Sequence, residues 1–166
     1  MKIAVAMPVH LRPFITRVSI EDTLDTMNLI GGDIHLYVYG SKVDDKAIKK
    51  FCDDHEKITF VNLRNGTLFR EVAEKFNKIY KDLNEREWDY MLWMDSNNML
   101  SPEYKNKLKN SIEDGLKWFG SVSFTMYNPA INMSKTFYKN ERTLIGPGKG
   151  IKRSHWDVTM KKHFDE

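Results

Sequence analysis

Apolar and polar residues follow one another in blocks of strand length and helix length. Short apolar runs at residues 3–7, 34–39 and 58–62 predict three strands. The stretches between them have apolar positions about four residues apart and predict helices. In the first helix, which we expect to end near Leu29 before two glycines, the predicted apolar face consists of Phe14, Val18, Ile20, Leu24 and Met27. This order of elements predicts a parallel sheet with right-handed crossovers.

The pattern continues into the second half of the chain. Apolar residues at positions 68, 72, 76, 79 and 83 predict a third helix, and the run from Trp88 to Met94 predicts a strand covered on both faces. Ser101, Pro102 and an acid in the first turn predict a fourth helix, with its apolar stripe reaching Leu116. Residues 122–126 alternate like a half-exposed strand, and the last forty residues look irregular.

Composition narrows the class of protein. With 166 residues, of which 41% are hydrophobic, the chain should form a single domain over residues 1–166. No apolar run approaches the roughly 18 residues that a membrane-spanning helix needs, so we expect a cytoplasmic protein without stable membrane insertion. Cys52 is the one cysteine, which excludes an internal disulfide, and the histidines are too scattered for a zinc motif.

Asp95 is the strongest candidate for chemistry, because it follows the buried strand directly. Open α/β sheets bind ligands at such strand ends. Asp95 and Asn97 would offer oxygen ligands to a divalent cation that bridges a diphosphate. The alternative is that Asp95 only caps a turn. The basic residues Lys149, Lys152 and Arg153 are able to meet phosphates, although a solvated surface explains them equally well.

Four segments in order along the chain resemble GT-A type glycosyltransferases, most of all the family 2 group of sugar-nucleotide-dependent enzymes. They are residues 7–10, 38–45, 89–102 and 148–166, which resemble the opening proline turn, the acidic Gly-Ser turn, the strand with the Asp-x-Asp signature, and the later basic and Phe-Asp-Glu sequence. The resemblance implies an α/β fold with a mostly parallel sheet flanked by helices. It also implies transfer of a sugar from a nucleoside diphosphate sugar to an acceptor hydroxyl.

The resemblance further implies a set of site residues. Donor contacts are expected from Pro8, Val9, His10, Arg12, Tyr39, Ser41, Asp95, Lys149, Lys152 and Arg153. Mn²⁺ or Mg²⁺ is expected at Asp95, Asn97 and His155, and candidate general bases are Asp157, Asp165 and Glu166. Residues 1–100 would form the nucleotide-sugar-binding half, and residues 101–166 would form a smaller half that faces the acceptor.

Three departures from the family pattern matter. Tyr39 stands where members carry an acid that reads the base, which leaves the base open and makes aromatic stacking an alternative. Asn97 replaces the second acid of the signature and should weaken metal binding. The chain stops at Glu166, where members continue to an acidic pair that supplies the base. Trp156 is a candidate for stacking on the acceptor, whereas Trp88 and Trp93 are expected in the core.

Two other functions stay open. A nucleotide-sugar-binding domain without catalysis would explain the missing base. A nucleotidylyltransferase would need a glycine-rich basic loop after the first strand, where the chain instead has residues 8–13 with two prolines. A composition rich in Asn, Lys and Met suits an AT-rich genome. A viral source is therefore a further expectation, with a glycan or nucleic acid as acceptor.

Overall fold

The structure is a computed structural model that describes residues 1–41, 45–63, 72–121, 123–128, 133–138 and 145–157. The first half contains β1 (Lys2–Pro8), α1 (Pro13–Ile30), β2 (Asp33–Gly40), α2 (Lys46–Asp53), β3 (Ile58–Asn62) and α3 (Val72–Glu85). The second half contains β4 (Tyr90–Trp93), α4 (Pro102–Glu113), β5 (Trp118–Ser121), β6 (Ser123–Asn128), β7 (Met133–Tyr138) and β8 (Ile145–Lys152).

Six strands form the main sheet, in the order β3-β2-β1-β4-β8-β5, and β6 pairs with β7 in a separate two-stranded sheet. The first four strands of this order are parallel to one another, which confirms the predicted parallel sheet. β8 runs antiparallel to β4, and β5 runs antiparallel to β8. Because β1 to β4 run in one direction, their carboxyl ends lie along the same edge of the sheet.

Helices cover both faces of the sheet. Ile20 of α1, Ile48 of α2 and Leu108 of α4 belong to one buried cluster, whereas Ile79 of α3 belongs to the cluster on the opposite face. From β1, the chain first adds β2 and then β3 on one side of β1, with α1 and α2 on one face of the sheet. Helix α3 then crosses the opposite face and leads to β4, which pairs with the other side of β1. The strand order reverses between β1 and β4, and such a reversal opens a crevice at the carboxyl edge.

β4 is buried on both sides, as its continuous apolar sequence predicts. Leu92 is fully buried in the cluster with α1 and α4, and Met91 is buried in the cluster with α3. The strand is shorter than the apolar run, since it comprises only Tyr90–Trp93.

The buried face of α1 differs from the prediction. Phe14 is 80% exposed, and small polar residues take much of the buried face. Burial of Thr23 and Thr26 is tolerated because their hydroxyl groups donate to the carbonyl oxygens of Ser19 and Asp22, at 2.8 Å and 2.9 Å. Each hydroxyl is satisfied within its own helix, so it needs no contact with water.

Two predictions for the second half are wrong. α4 ends at Glu113, and Leu116 is exposed, because Gly115 adopts a φ of 71° that stops the helix. The last forty residues, expected to be irregular, contain β7 and β8, whereas β6 matches the strand predicted at residues 122–126. Within the parts of the chain that the structure describes, no helix combines the length and apolarity required to cross a membrane.

Candidate functional site

A cleft of about 280 Å³ opens at the carboxyl edge of the sheet, between the ends of β1 and β4. Its lining consists of Pro8, Val9, His10, Arg12, Asp95, Ser96 and Asn97. All of these except Ser96 were predicted from the sequence as contacts to the donor or as ligands of a metal ion. The cleft occupies the position where open α/β sheets bind ligands, and its volume is near the lower end for small-molecule sites.

The loop from β1 to α1 forms one wall of the cleft. Leu11 and Arg12 have φ angles of 51° and 64°, in the left-handed region that residues other than glycine seldom adopt. Two hydrogen bonds hold the loop: the Val9 N–H donates to the Tyr39 carbonyl at 2.8 Å, and the Leu11 N–H donates to Asp45 Oδ1 at 2.9 Å. The surrounding contacts thus maintain a strained backbone beside the cleft.

Asp45 connects this loop to the end of β2. Its side chain is buried, and while Oδ1 accepts from Leu11, Oδ2 accepts from the Ser41 N–H at 2.8 Å. Asp45 lies at the start of α2, but its carboxylate accepts from two loops and makes no side-chain cap on the helix. Ser41 is nearly buried by this arrangement and is not among the residues that line the cleft.

Gly40 allows these loops to meet. A Cβ atom at this position would lie 2.7 Å from Val9 Cγ2, 2.8 Å from Asp45 Oδ2 and 2.9 Å from Phe60 Cζ. A side chain at position 40 would therefore force apart the two loops that Asp45 connects.

The Asp95 carboxylate forms the opposite wall, and two side-chain donors orient it. The Trp93 indole N–H donates to Oδ1 at 3.3 Å, and the Asn98 amide donates to Oδ2 at 3.1 Å. The same amide lies 3.2 Å from Asn97 Oδ1. Each carboxylate oxygen has a further lone pair available for a ligand. Trp93 and Asn98 were not predicted as site residues, because orientation by a neighbour leaves no distinctive sequence signal.

The segment after Asp95 is anchored to α1 by a buried ion pair. Asp22 Oδ2 accepts from the Leu100 N–H at 2.9 Å, and Asp22 Oδ1 lies 2.6 Å from Lys105 Nζ. Only 10% of the Asp22 side chain and 14% of the Lys105 side chain are exposed. These contacts hold the second wall of the cleft against the helix that begins in the first wall.

Lys149 and Lys152 lie at opposite ends of the contact between β4 and β8. Lys149 pairs with Trp93 at the carboxyl end of β4, so the two side chains project from the same face of the sheet, near Asp95. Lys152 pairs with Tyr90 at the other end, and its ammonium group lies 5.8 Å from the centre of that ring. Of the two lysines, only Lys149 is close to the cleft edge.

The basic and acidic residues of the short helical segment 153–157 also lie at the far edge of the sheet, which is the edge opposite the cleft, where β4 begins. The Arg153 backbone N–H donates to the Asp89 carbonyl at 2.8 Å, and its guanidinium donates to the Arg86 carbonyl at 3.1 Å. Its Nε lies 3.0 Å from Asp157 Oδ1. Asp89 precedes β4 and Asp95 follows it, and six residues of extended chain span about 20 Å.

The predicted metal set is therefore not brought together. Asp95 and Asn97 line the cleft, but His155 lies beyond Arg153 and contacts the ring of Trp118 with centroids 6.2 Å apart. Asp157 is likewise placed at the far edge, where it cannot reach an acceptor bound beside Asp95. The other two candidate bases, Asp165 and Glu166, lie outside the described residues.

The two aromatic candidates for stacking, Tyr39 and Trp156, are both buried. Tyr39 is fully buried, and its hydroxyl donates to Asp82 Oδ2 at 2.7 Å; burial and this contact raise the pKa of the phenol. Trp156 is 2% exposed and packs edge-on against Trp88, with centroids 5.5 Å apart. Neither ring is available to stack on a base or an acceptor, whereas Trp88 is in the core as predicted.

Asp95 and Asn97 are the residues that fit a metal ion. In the described part of the chain, no group of three or more His, Cys, Asp and Glu side chains is placed to hold one. One carboxylate and one amide oxygen still suit Mg²⁺ or Mn²⁺ when phosphate and water provide the other ligands, as is common for Mg²⁺ at nucleotide sites.

Comparison with known proteins addresses the fold. No protein-family model matches the chain, and no curated protein matches it in sequence. Among solved structures, it is similar to 4-diphosphocytidyl-2C-methyl-D-erythritolsynthase from Anaerococcus prevotii DSM 20548, with a TM-score of 0.60, 13% identity, and coverage of 99% of this chain and 75% of that chain. This likeness confirms the predicted fold class, an α/β fold with a mostly parallel sheet flanked by helices.

Proposed function

We propose that this protein is a glycosyltransferase that moves a sugar from a nucleoside diphosphate sugar to an acceptor hydroxyl. The observation that carries the proposal is the cleft at the strand reversal, where Asp95 and Asn97 line the same space as His10 and Arg12. Oxygen ligands for a divalent cation on one wall and nitrogen donors on the other are the groups that a diphosphate needs.

The fold neighbour supports a nucleotide-linked ligand. The name of that protein describes a synthase whose product carries a diphosphocytidyl group, which is a nucleoside diphosphate. The GT-A resemblance of residues 89–102 supports the finer proposal of sugar transfer, because Asp95 of that segment lines the cleft.

The proposed chemistry is stabilisation of a leaving diphosphate. As the bond to the sugar breaks, negative charge grows on the diphosphate, and Arg12 at the cleft and Lys149 at its edge would stabilise that charge. Asp95 and Asn97 would hold Mn²⁺ or Mg²⁺, which when bound supplies Lewis-acid neutralisation of the phosphate oxygens. The base that accepts the acceptor proton stays a prediction at Asp165 or Glu166.

Nucleotidyl transfer is the second candidate, and the name of the fold neighbour favours it. The two reactions release different products. Glycosyl transfer releases a nucleoside diphosphate, whereas nucleotidyl transfer to a phosphorylated acceptor releases pyrophosphate. Residues 8–13 of the β1 to α1 loop contain no glycine, which favours glycosyl transfer, since glycines let a backbone cradle a triphosphate closely.

A thermal-shift panel tests the proposal directly. Nucleoside diphosphates and their sugar conjugates are added with and without Mn²⁺, and a ligand at 100 times its Kd should stabilise the protein by about 2.7 kcal/mol. Asp95→Ala should abolish the metal-dependent shift, and Asp25→Ala, an exposed carboxylate on α1, should preserve it. The ligands that bind are then incubated with glycan acceptors, and the released product is identified.

Each outcome has a distinct meaning. Release of a nucleoside diphosphate supports the glycosyltransferase. Release of pyrophosphate from nucleoside triphosphates would establish nucleotidyl transfer instead. Binding without any turnover would indicate a nucleotide-sugar-binding domain, and a shift that survives Asp95→Ala would contradict the assigned site.

A further inference from the structure

We propose that Trp93 is a positioning residue for Asp95: its indole N–H sets the direction in which the carboxylate presents its free lone pairs to a diphosphate-bound cation. This inference rests on the proposed function and adds a residue to it. The contact is the 3.3 Å hydrogen bond from Trp93 Nε1 to Asp95 Oδ1.

Trp93 is well suited to this role because its indole is held on the α3 side of the sheet. The Phe76 ring stacks against it, with centroids 5.2 Å apart and planes 29° apart, and the Tyr80 ring lies 6.2 Å away. On the neighbouring strand β1, the residue paired with Trp93 is the fully buried Ala6, whose small side chain leaves room for the indole. A ring packed in this way keeps its N–H in one direction.

The indole of Trp93 is able to orient Asp95 but is not able to bind the cation itself. An indole N–H is a donor only, so it orients a carboxylate without competing for the cation. With Asn98 donating to the other oxygen, the carboxylate is held on both sides. Such outer contacts commonly change metal affinity by 10-fold to 100-fold when they are removed, because the ligand must then be ordered on binding.

The chain offers a matched control in Trp88. This tryptophan also belongs to the cluster on the α3 face, where it is buried while Trp93 is partly buried, and its indole donates to the Leu83 carbonyl at 2.8 Å. It precedes β4, at the far edge of the sheet from Asp95. Trp88→Phe and Trp93→Phe thus remove the same chemical group and the same volume, and only Trp93→Phe removes a contact with the cleft.

The first measurement is the ¹H–¹⁵N spectrum of the four tryptophan indoles. Trp93→Phe and Trp88→Phe identify the two signals by deleting them. In Asp95→Ala, the Trp93 indole signal should move, and the Trp88 signal should stay in place. A Trp93 signal that is unchanged in Asp95→Ala would overturn the inference without any reference to a ligand.

The second measurement is the affinity for UDP, GDP, CDP and ADP in the presence of Mn²⁺. Trp93→Phe should bind the preferred nucleotide about tenfold more weakly than the wild type. Trp88→Phe should bind with wild-type affinity even where its melting temperature falls. Wild-type affinity in Trp93→Phe would overturn the positioning role of Trp93 and leave the proposed function standing. If the wild type binds none of the four nucleotides, the proposed function fails, and this inference fails with it.

Discussion

The buried carboxylate of Asp45 accepts a 2.9 Å hydrogen bond from the backbone N–H of Leu11, and this contact connects the start of α2 to the strained loop beside the cleft. The second oxygen of the same carboxylate accepts from Ser41, so one side chain satisfies two backbone donors. The shape of the cleft therefore depends on a residue that is not part of its lining.

Asp45→Ala should lower the free energy of unfolding by about 3 kcal/mol, because it removes a charged acceptor from one buried and one partly buried N–H group. It should also weaken nucleotide binding, since the loop with Leu11 and Arg12 is no longer held. Urea denaturation and a thermal-shift titration measure the two effects. The exposed Asp25→Ala should change stability by less than about 0.5 kcal/mol. A loss below about 1 kcal/mol in Asp45→Ala would contradict this role.

Lys105→Ala should cost about 3 kcal/mol of stability, because it leaves the buried carboxylate of Asp22 without its cation. Lys107 on the same helix is the control: its pair with Glu103 has side chains 66% and 78% exposed, so Lys107→Ala should cost less than about 0.5 kcal/mol. Chemical denaturation of the two variants at low salt would measure both losses of stability. Equal losses in the two variants would show that burial of the Asp22 pair contributes nothing.

Tyr39 should make the stability sensitive to alkaline pH. Burial and the contact with Asp82 raise the pKa of the folded phenol above its ordinary value of 10.0. The folded state then keeps a proton that the unfolded chain releases, so this stabilisation is complete below pH 10 and declines as pH rises above it. The stability difference between wild type and Tyr39→Phe should shrink above pH 10, as measured by urea denaturation at a series of pH values. A stability difference that stays constant with pH would contradict the raised pKa of Tyr39.

Gly150→Ala should destabilise the contact between β8 and β5. A Cβ atom at position 150 would lie 2.0 Å from Phe119 Cζ, so the ring must move, at a cost of about 3 kcal/mol. Phe119→Leu in the same chain should recover part of the loss by removing the ring. A double-mutant cycle measured by thermal unfolding checks this coupling, and simple additivity of the two changes would refute it.

Much of the fold follows from local sequence. The runs that became β1 to β4 are apolar over strand length, and the stretches between them repeat at helical spacing, so their order predicts the parallel sheet. Parallel strands bring their carboxyl ends to one edge, which is why His10, Arg12, Asp95 and Asn97 were expected together and are found together.

The sequence by itself therefore determined the element order of the first half and the two loops that line the cleft. Only the tertiary structure decided where the later residues lie. The antiparallel insertion of β8 beside β4 places Lys149 at the cleft edge and leaves Arg153, His155 and Asp157 beyond the opposite end of β4. The sequence did not predict this placement, because pairing between distant strands leaves no local pattern. The same holds for Tyr39, whose burial depends on Asp82 of α3, a partner 43 residues away along the chain.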